Sequence, residues 1–405
     1  MKRIITVILS LAASLVVMAQ VRITTPETEL IIKADKGADL QILYFGARLS
    51  DADAANIEAA GVPGHSAYRA YGLWCASETS LGVTHADGNL STSLKVESVM
   101  QSDVIDNSIV TKVVMKDAVY PFYVTVCYRA YQDVDMIETW TEIANLGKKP
   151  VTLTRFDSGY LPVRVGDVWL SHLHGTWAAE GLLVQEPLQR GMKVIKNKDG
   201  SRNSHTDHAE VMFSLDGKPQ ENTGRVIGAA LCYSGNYELR IDTRDTDYHE
   251  FYAGINPDNS SYKLESKEVF MTPELAFTYS DEGLSGASRN FHKWGRTYKL
   301  AHGDKLRKIL LNSWEGVYFD INEPGMDQMM ADIASMGGEL FVMDDGWFGV
   351  KYPRLTDNCA LGDWEVDRNK LPNGIGWLVE QAHKHGIKFG IWIEPEMTNT
   401  TSELY

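Results

Sequence analysis

The hydrophobic pattern of this sequence changes its period near residue 284. In residues 22–278, apolar and polar side chains alternate in short runs, for example in residues 122–129 and 137–144. A period of two is typical of β-strands that bury one face. After residue 284, apolar residues recur at helical spacing between short apolar runs. The change of period therefore predicts two regions of different structural class.

The first region is predicted to be a large antiparallel β-sandwich. Strand-like runs separated by turn-forming pairs such as Asp87-Gly88 fill it, with almost no helical periodicity. Residues 226–233 are apolar on both faces, as expected of a central strand, and residues 234–236 then turn the chain. A helical segment is predicted in residues 284–298.

The second region predicts a parallel series of strands and helices. Short apolar runs at residues 309–311, 339–343 and 387–393 are the predicted strands, and the first two are expected to be buried. Methionine-rich residues 326–336 and residues 375–382 have helical spacing between them. Strands that alternate with helices form parallel sheets. Polar residues follow all three runs, which is where a (β/α)8 barrel builds its active site.

Four parts follow from these boundaries. We predict a signal peptide at residues 1–19, a sandwich domain at 20–283, a linker helix at 284–300 and an incomplete barrel at 301–405. The first part has basic Lys2 and Arg3, a short apolar run and a small residue, Ala19, before the expected cleavage point. We therefore expect export to the periplasm or the extracellular space, without a membrane anchor after cleavage. A retained N-terminal anchor is the alternative.

Charge and cysteine usage exclude several classes of function. Asp and Glu total 54 against 39 Lys and Arg, so the net charge is −15 and nucleic-acid binding is not expected. The sequence has neither a phosphate-binding loop nor a zinc pattern, and we expect no cofactor. Cysteines 75, 127, 232 and 359 are widely spaced. Cys127 and Cys232 are predicted to be buried free thiols, although one disulfide remains open.

His172 and His174 are the strongest metal candidate in the sequence. An H-x-H pair places both imidazoles on one side of a strand, where a third ligand would complete a site. No nearby carboxylate or cysteine pattern supplies that third ligand. We therefore expect no metal centre.

Asp344 and Asp345 are the strongest candidate site residues. They follow the second predicted strand of the barrel region directly, and two adjacent carboxylates at a strand end are costly unless something binds them. A metal, arginine side chains or a polyhydroxylated ligand would each satisfy them, because an ionised carboxylate accepts several hydrogen bonds. The alternative is a helix cap combined with a structural ion pair.

Aromatic residues accompany these carboxylates. On the third predicted strand, Trp392 and Glu394 share the face expected to point to the barrel axis, whereas Phe389, Ile391 and Ile393 share the face expected to meet the helices. Residues 314–392 hold five of the ten tryptophans, beginning with Trp314 at the first strand end. An indole face beside carboxylates suits the C–H face and the hydroxyls of a sugar.

These residues stand in a series of longer motifs. Those of the second region are Asn312-Ser313-Trp314-Glu315, the run at residues 340–349, Leu361-Gly362-Asp363-Trp364 and the run at residues 389–397. Those of the first region are Tyr71-Gly72, His85-Ala86-Asp87-Gly88-Asn89, Tyr233-Ser234-Gly235-Asn236, Gly254-Ile255-Asn256-Pro257 and the run at residues 279–284. In sequence, order and spacing these motifs resemble the glycoside hydrolase family 36 α-galactosidases of clan D, and the resemblance covers essentially the whole chain after residue 19.

The resemblance implies both a fold and an activity. It implies a multi-domain chain, with an N-terminal antiparallel β-supersandwich followed by a (β/α)8 barrel. The implied reaction is retaining hydrolysis of terminal α-galactosyl residues from oligosaccharides, without metal or nucleotide. Carried over by motif, Asp344 and Asp345 bind galactose hydroxyls, Trp314 and Trp392 line that subsite, and Glu394 forms its wall or supports it from behind.

Two departures from the family pattern change the expectation. Residues 78–81 replace the Arg-Glu-Pro-Ala stretch of the family's sandwich, which puts the aglycone preference in doubt. A retaining enzyme also needs two carboxyl groups about 5–5.5 Å apart. The family's nucleophile follows Lys-Trp-Asp or Lys-Tyr-Asp, but here Gly295 follows Lys293-Trp294 and Pro353 follows Lys351-Tyr352.

The sequence of the second region predicts three strands, whereas a (β/α)8 barrel has eight. We therefore expect a truncated barrel that holds only the first three βα units, and a nucleophile and acid/base beyond Tyr405, so that no catalytic residue lies within the chain. The chain alone is expected to be inactive. The alternatives are a non-catalytic galactose-binding or interaction fragment, a transglycosidase of the raffinose-synthase type, or an α-N-acetylgalactosaminidase. Assembly into a homo-oligomer is left open.

Overall fold

Antiparallel strands build the N-terminal unit, residues 1–301, and residues 302–405 form a separate C-terminal unit. The computed structural model describes residues 20–59, 64–72, 77–163, 166–245 and 248–405. The strands of the N-terminal unit are β1 (Gln20–Thr24), β2 (Thr28–Lys33), β3 (Gln41–Ala47), β4 (His65–Ser66), β5 (Leu81–Thr84), β6 (Leu94–Gln101), β7 (Ser108–Asp117), β8 (Phe122–Tyr131), β9 (Ile137–Asn145), β10 (Val151–Val163), β11 (Trp169–Thr176), β12 (Ala179–Pro187), β13 (Gly191–Lys196), β14 (Asp207–Ser214), β15 (Val226–Cys232), β16 (Tyr237–Asp245), β17 (Tyr248–Ile255), β18 (Tyr262–Leu264), β19 (Glu268–Met271) and β20 (Glu274–Ser280). Its helices are α1 (Asp51–Ala59) and α2 (Gly283–Trp294), and a π-helical turn at Gly295–Lys299 follows α2.

Three sheets are present among the described residues of this unit. One has the order β1-β2-β3-β4, and a second has the order β13-β16-β17-β10-β18, with β5 also paired to β10. The largest has the order β12-β11-β14-β15-β20-β9-β8-β7-β6, with β19 also paired to β9. Neighbouring strands in these sheets run antiparallel. The mostly β, multi-sheet architecture predicted from the period of two is confirmed.

Aromatic pairs join the sheets through a common hydrophobic core. The ring centroids of Phe213 on β14 and Phe251 on β17 are 5.2 Å apart. Phe45 on β3 lies 5.0 Å from Phe277 on β20. These residues belong to one cluster of buried side chains that extends across the sheets or pack against it. Their burial is the main source of stability of the unit.

The central strand predicted at residues 226–233 is present as β15, which pairs with β14 on one side and β20 on the other. Cys127 on β8 is buried, as predicted, and burial raises the pKa of its thiol. The prediction for Cys232 is wrong, because this residue ends β15 and its surface is exposed. Both thiols and the half-buried Cys359 are free. Cys75 lies outside the described residues, as does the predicted signal peptide.

The helix predicted at residues 284–298 is α2 together with the π-helical turn. A buried carboxylate, Glu138 on β9, joins this segment to the largest sheet. The indole Nε1 of Trp294 donates a hydrogen bond to Glu138 at 3.0 Å, and the Lys299 ammonium lies 2.7 Å from the same carboxylate. The helical segment is therefore fixed to the largest sheet by polar as well as apolar contacts.

The C-terminal unit contains a three-stranded parallel sheet with helices between the strands. In chain order its elements are β21 (Leu310–Asn312), α3 (Trp314–Val317), α4 (Glu323–Ser335), β22 (Leu340–Met343), α5 (Gly374–Lys384) and β23 (Lys388–Ile391). The sheet order is β21-β22-β23, and both pairs are parallel. The strand-helix-strand-helix-strand pattern agrees with the sequence prediction. Asn322 caps α4 by accepting a hydrogen bond from the Gly325 amide at 2.9 Å.

The small core of this unit lies between β22 and the helices. Met326 and Met330 on α4 are fully buried there, as the helical spacing predicts, and so is Phe341 on β22. The prediction is wrong for Met336, which follows the end of α4 and is 79% exposed. The predicted burial of the first strand is wrong, and the face of the third strand expected to meet the helices is exposed at Ile391 and Ile393. Leu310 on β21 is 49% exposed, and Ile391, which ends β23, is 37% exposed. Both belong to short edge strands, which have a neighbour on one side only. Ile309 and Ile393 lie outside the strands and are also exposed.

Among the residues that the structure describes, no helix is both long enough and apolar enough to cross a membrane.

Candidate functional site

The carboxyl ends of β21, β22 and β23 bring the candidate residues to one edge of the parallel sheet. Hydrogen bonds continue the strand pairing past the strand ends: the Ser313 amide donates to the Val342 carbonyl at 3.0 Å, and the Trp392 amide donates to the Met343 carbonyl at 2.9 Å. Because neighbouring parallel strands end at the same edge, the segments that contain Trp314, the aspartate pair and Trp392 emerge side by side.

Asp344 is held in place by two hydrogen bonds, one to each of its carboxylate oxygens. Its Oδ2 accepts a short hydrogen bond from the side-chain amide of Asn312, and its Oδ1 accepts from the Asp345 amide at 2.7 Å. Its own amide donates to the Ser313 hydroxyl at 3.0 Å. An ionised carboxylate has about four acceptor positions, so the oriented Asp344 carboxylate retains capacity for two further donors.

Asp345 forms a buried ion pair instead. The Arg354 guanidinium donates from Nε to Oδ1 at 2.9 Å and from Nη2 to Oδ2 at 2.7 Å. The two side chains are only 8% and 3% exposed. This fork-to-fork geometry is the strongest form of arginine–carboxylate contact. The sequence left open whether a metal, arginine side chains or a polyhydroxylated ligand would satisfy the two carboxylates. An arginine pairs with Asp345, whereas Asp344 has no arginine partner.

Arg354 also connects the ion pair to the loops that surround it. Its Nη1 donates to the Cys359 carbonyl at 2.7 Å and to the Asn399 side chain at 3.1 Å. Its guanidinium lies 5.4 Å from the ring centroid of Phe319. The position of Asp345 thus depends on three separate segments of the C-terminal unit.

Lys370 also holds the loops of this region together. Its ammonium donates to three backbone carbonyls, those of Phe319 and Gly346 at 2.7 Å and that of Arg354 at 2.9 Å. Burial lowers the pKa of Lys370, against the opposing influence of Asp367. This lysine cross-links the backbone directly after the aspartate pair to the loops at Phe319 and Arg354.

The tryptophans divide into a structural member and accessible members. Trp347 is buried in the core and donates from Nε1 to the Trp392 carbonyl at 3.0 Å. Trp392 and Trp364 are half-buried, and their ring centroids lie 6.2 Å apart in a T-shaped arrangement. Trp314 is half-buried on α3, with its ring edge-to-face against Phe319 at 5.0 Å. These three indoles keep part of their surface accessible, as does the half-buried Trp377 on α5.

Glu394 is half-buried and follows Trp392 by two residues, in the segment after β23. The structure thus places all five candidate residues, Trp314, Asp344, Asp345, Trp392 and Glu394, at or directly after the strand ends of one sheet. Their assignment to a substrate subsite stays a prediction.

Sequence reasoning missed Arg354, Lys370 and Asn399. An arginine partner for the aspartates was one of the open alternatives, but Arg354 lies in an irregular loop nine positions after Asp345. Loop residues carry no periodic signal, so their partners are set by tertiary structure alone. The only sequence signal was chemical: two adjacent carboxylates in a buried position require a cation or several donors.

No group of three or more histidine, cysteine, aspartate or glutamate side chains suited to a metal ion exists in the described ranges. His172 and His174 on β11 each have a separate carboxylate neighbour, Glu186 at 3.4 Å and Asp207 at 2.8 Å. Burial lowers the pKa of His172. The arrangement gives two individual histidine–carboxylate contacts.

Comparisons with known proteins cover both units. A family model described as the glycosyl hydrolase family 36 N-terminal domain matches residues 38–265, and one described as Melibiase matches residues 269–405. Over 297 residues the chain is 36% identical to the alpha-galactosidase AgaA of Geobacillus stearothermophilus, covering 73% of this chain and 40% of the relative. It is 35% identical over 295 residues to the alpha-galactosidase Mel36A of Lactobacillus acidophilus, covering 72% of this chain and 40% of the relative.

A solved structure agrees with these matches. The crystal structure of an AgaA variant from Geobacillus stearothermophilus in complex with raffinose superposes with a TM-score of 0.87 and 29% identity. The alignment covers 95% of this chain and 58% of the crystallised one. The chain spans about 40% of the length of the curated relatives AgaA and Mel36A.

Proposed function

The chain belongs to glycosyl hydrolase family 36, and from this membership we propose that it supplies the galactose-binding part of an α-galactosidase. The substrate would be a terminal α-galactosyl residue of an oligosaccharide such as raffinose, the ligand of the AgaA variant. The reaction would be hydrolysis with retention, without metal or nucleotide. The single observation that carries this proposal is Asp344, which is oriented at a strand end and retains acceptor capacity.

Asp344 is proposed to accept hydrogen bonds from sugar hydroxyls. Its existing partners, the Asn312 amide group and the Asp345 backbone amide, fix the plane of the carboxylate before a ligand arrives. Hydrogen bonds to a charged acceptor contribute more than neutral ones, about 1.5–3 kcal/mol each. An oriented carboxylate beside accessible indoles therefore suits a sugar ring, whose hydroxyls and C–H face need different partners.

Asp345 is proposed to act in a different way. Because Arg354 already engages both of its oxygens, its larger contribution is to hold the loop after β22 and, with it, the backbone amide that orients Asp344. A sugar hydroxyl that reaches Asp345 would use its remaining acceptor positions. Trp314 and Trp392 would flank the sugar, and Glu394 would form the wall.

We propose that the C-terminal unit is the beginning of a (β/α)8 barrel and that the N-terminal unit is a β-supersandwich. Three parallel strands with intervening helices and polar carboxyl ends support the barrel. The candidate residues would then lie where barrel enzymes place their active sites.

We further propose that the catalytic carboxylate pair is not among the residues of this chain. The motifs that carry it in the family are missing from the sequence, and of the three candidate carboxylates Asp345 is engaged by Arg354. The pure 405-residue chain is expected to bind galactose and raffinose without releasing galactose. Sugar binding would be visible as protection against unfolding.

The decisive experiment uses a full-length protein that contains this chain and measures the release of galactose from raffinose. Asp344→Asn keeps the size of the side chain but removes its charge and one acceptor. We expect kcat/KM to fall about 10- to 100-fold, which corresponds to the loss of one charged hydrogen bond. Asp327→Asn, at the partly exposed pair with His385, is the matched control and should keep the rate of the parent.

Unchanged kcat/KM in Asp344→Asn would refute the subsite. Galactose release by the 405-residue chain itself would refute the proposal about the catalytic pair. Analysis of the products separates the related activities: transfer of galactose to a sugar acceptor would indicate a transglycosidase, and preference for N-acetylgalactosaminides would indicate an α-N-acetylgalactosaminidase.

Export is proposed on the sequence of residues 1–19, in which two basic residues precede a short apolar run and Ala19. Mass spectrometry of the mature N-terminus after expression in an exporting host tests this proposal. A mature chain that begins at Gln20 in the exported fraction supports it, and an uncleaved chain that keeps Met1 and stays in the cytosol contradicts it.

A further inference from the structure

Two sequence motifs that the candidate site does not use lie together in the N-terminal unit. Tyr233-Ser234-Gly235-Asn236 forms the turn between β15 and β16, and Gly254-Ile255-Asn256-Pro257 ends β17 and begins the next loop. With the loop at residues 197–206 after β13, they line a cavity of about 550 Å³. Small-molecule sites commonly measure about 300–1,000 Å³. The cavity is therefore large enough for a ligand.

Three asparagines hold the loops of this cavity in place. Asn197 donates from Nδ2 to the Gly200 carbonyl at 2.9 Å, and Asn256 donates from Nδ2 to the Asn197 carbonyl at 3.0 Å. Asn236 accepts through Oδ1 from the Gly200 amide at 2.7 Å. Asn197 and Asn256 are buried. The loops are thus cross-linked without any ligand, which lowers the entropic cost of binding one.

Other polar groups that line the cavity are not used by this network. Within the described part of the chain, the Asn236 Nδ2 group and the Tyr233 hydroxyl have no hydrogen-bond partner, and neither do the side chains of Ser201, Asn259 and Ser260. Together they offer both donors and acceptors. These groups can therefore serve a ligand that is itself rich in hydroxyls.

An apolar surface adjoins these groups. The Tyr233 ring and Ile255 both line the cavity. Gly235 seats the ring, because a Cβ at this position would lie only 2.7–2.8 Å from Tyr233 atoms. A half-buried aromatic ring fixed in this way offers a rigid contact to the C–H face of a sugar.

The charges at the cavity favour a neutral ligand. Lys198 and Asp258 are the charged residues that line it, and the Lys198 ammonium lies 3.2 Å from the Asp258 carboxylate. Lys196 pairs with the same carboxylate at 2.7 Å. The lysine that lines the cavity is thus already paired, which disfavours phosphate or carboxylate ligands.

We propose that this cavity is a second saccharide site that binds a neutral oligosaccharide. The Tyr233 ring and Ile255 contact the C–H face of a sugar, and the Tyr233 hydroxyl and the Asn236 amide group hydrogen-bond to its hydroxyls. The site uses none of the residues at the ends of β21, β22 and β23. It would retain substrate on the N-terminal unit without hydrolysing it.

Hydrogen exchange of the 405-residue chain, measured by mass spectrometry with increasing raffinose, tests the proposal at the level of single loops. Raffinose is expected to slow amide exchange in residues 197–206, 233–237 and 256–261. Asn236→Asp retains the Oδ1 acceptor that fixes Gly200 but removes the free donor. It should raise the raffinose concentration at half-protection about fivefold or more, the equivalent of one hydrogen bond.

Tyr233→Phe is the second variant and keeps the test possible if Asn236→Asp fails to fold. It removes only the hydroxyl and is expected to raise the half-protection concentration by a similar factor. Asn222→Asp and Tyr123→Phe make the same chemical changes away from the cavity and should behave as the parent. The proposal is overturned if raffinose leaves exchange in the three loops unchanged, if both cavity variants keep the parent's half-protection concentration, or if phosphate protects the loops and raffinose does not. Protection limited to residues 312–347 would overturn this site and leave the proposed function intact.

Discussion

The two units of this chain differ in where their buried charged side chains lie: within strands in the N-terminal unit, and directly after a strand in the C-terminal unit. In the N-terminal unit, carboxylates such as Glu138 on β9 and Glu250 on β17 lie within long strands and are fully buried. In the C-terminal unit, Asp344 and Asp345 lie directly after a strand of four residues. A charge inside a strand is fixed by the whole sheet around it, whereas a charge at a strand end depends on loops.

The cores differ in the same sense. The N-terminal core extends across several antiparallel sheets, whereas the C-terminal core is small, and the outer strands of its sheet expose Leu310 and Ile391. A short open sheet gains little from hydrophobic burial. Polar contacts at the strand ends therefore contribute a larger share of the stability of the C-terminal unit, and substitutions there test this difference most directly.

The largest expected effect is that of Asp345→Ala. The substitution leaves the buried Arg354 guanidinium without its counter-charge, and breaking such a pair costs about 3–5 kcal/mol. We expect the C-terminal unit to unfold at lower urea concentration while the N-terminal unit keeps its midpoint. Hydrogen exchange resolved by peptide measures the two units separately.

Asp327→Ala serves as the matched control, because the pair that Asp327 forms with His385 is partly exposed and is worth at most about 1 kcal/mol. If Asp345→Ala and Asp327→Ala lower the urea midpoint equally, the strand-end charges do not stabilise the C-terminal unit.

Asp344→Ala should lower the stability of the C-terminal unit less than Asp345→Ala, since the partners of Asp344 are an amide group and a backbone amide rather than a guanidinium.

Lys370→Met is expected to have the next largest effect. The methionine retains an unbranched apolar chain as far as the ε position but removes the ammonium that donates to the carbonyls of Phe319, Gly346 and Arg354. Unsatisfied buried groups cost about 1–3 kcal/mol. Urea unfolding of the C-terminal unit measures the loss, with the exposed Lys388→Met as control. A variant as stable as the parent would show that these carbonyls find water instead.

The sequence could predict which residues stand at the strand ends but not what holds them. The period of two located β8 and β9, because half-buried strands impose alternation on every residue. Asp344 and Asp345 could be placed because they follow an apolar run directly. Arg354 and Lys370 could not, since both lie in irregular loops and their partners are distant in sequence. Exposure at the ends of strands was also unpredictable, as Cys232 and Ile391 show, because it depends on which neighbours each strand has.

The smallest expected effect is that of acid on the stability of the N-terminal unit. Burial alone would raise the pKa of Glu250, but Arg69 and the hydrogen bond from the Tyr248 hydroxyl outweigh it and hold the pKa below the ordinary 4.5. The Tyr160 hydroxyl donates to the same oxygen at 3.0 Å. Between the lowered pKa and 4.5, the unfolded chain binds more protons than the folded one, so stability rises with pH. The contribution of Glu250 is thus complete above pH 4.5 and is lost as the pH falls through the lowered pKa.

Urea unfolding of the N-terminal unit between pH 6 and pH 2 measures this dependence. Glu250→Gln cannot titrate, so its stability should fall less steeply below pH 4.5 than that of the parent, even though the variant starts from a lower value. Glu27→Gln, at an exposed glutamate, should keep the slope of the parent. Identical slopes in the parent and in Glu250→Gln would mean that the Glu250 carboxylate does not cause the loss of stability in acid. The contrast between charges within strands and charges at strand ends would then not extend to the pH dependence of stability.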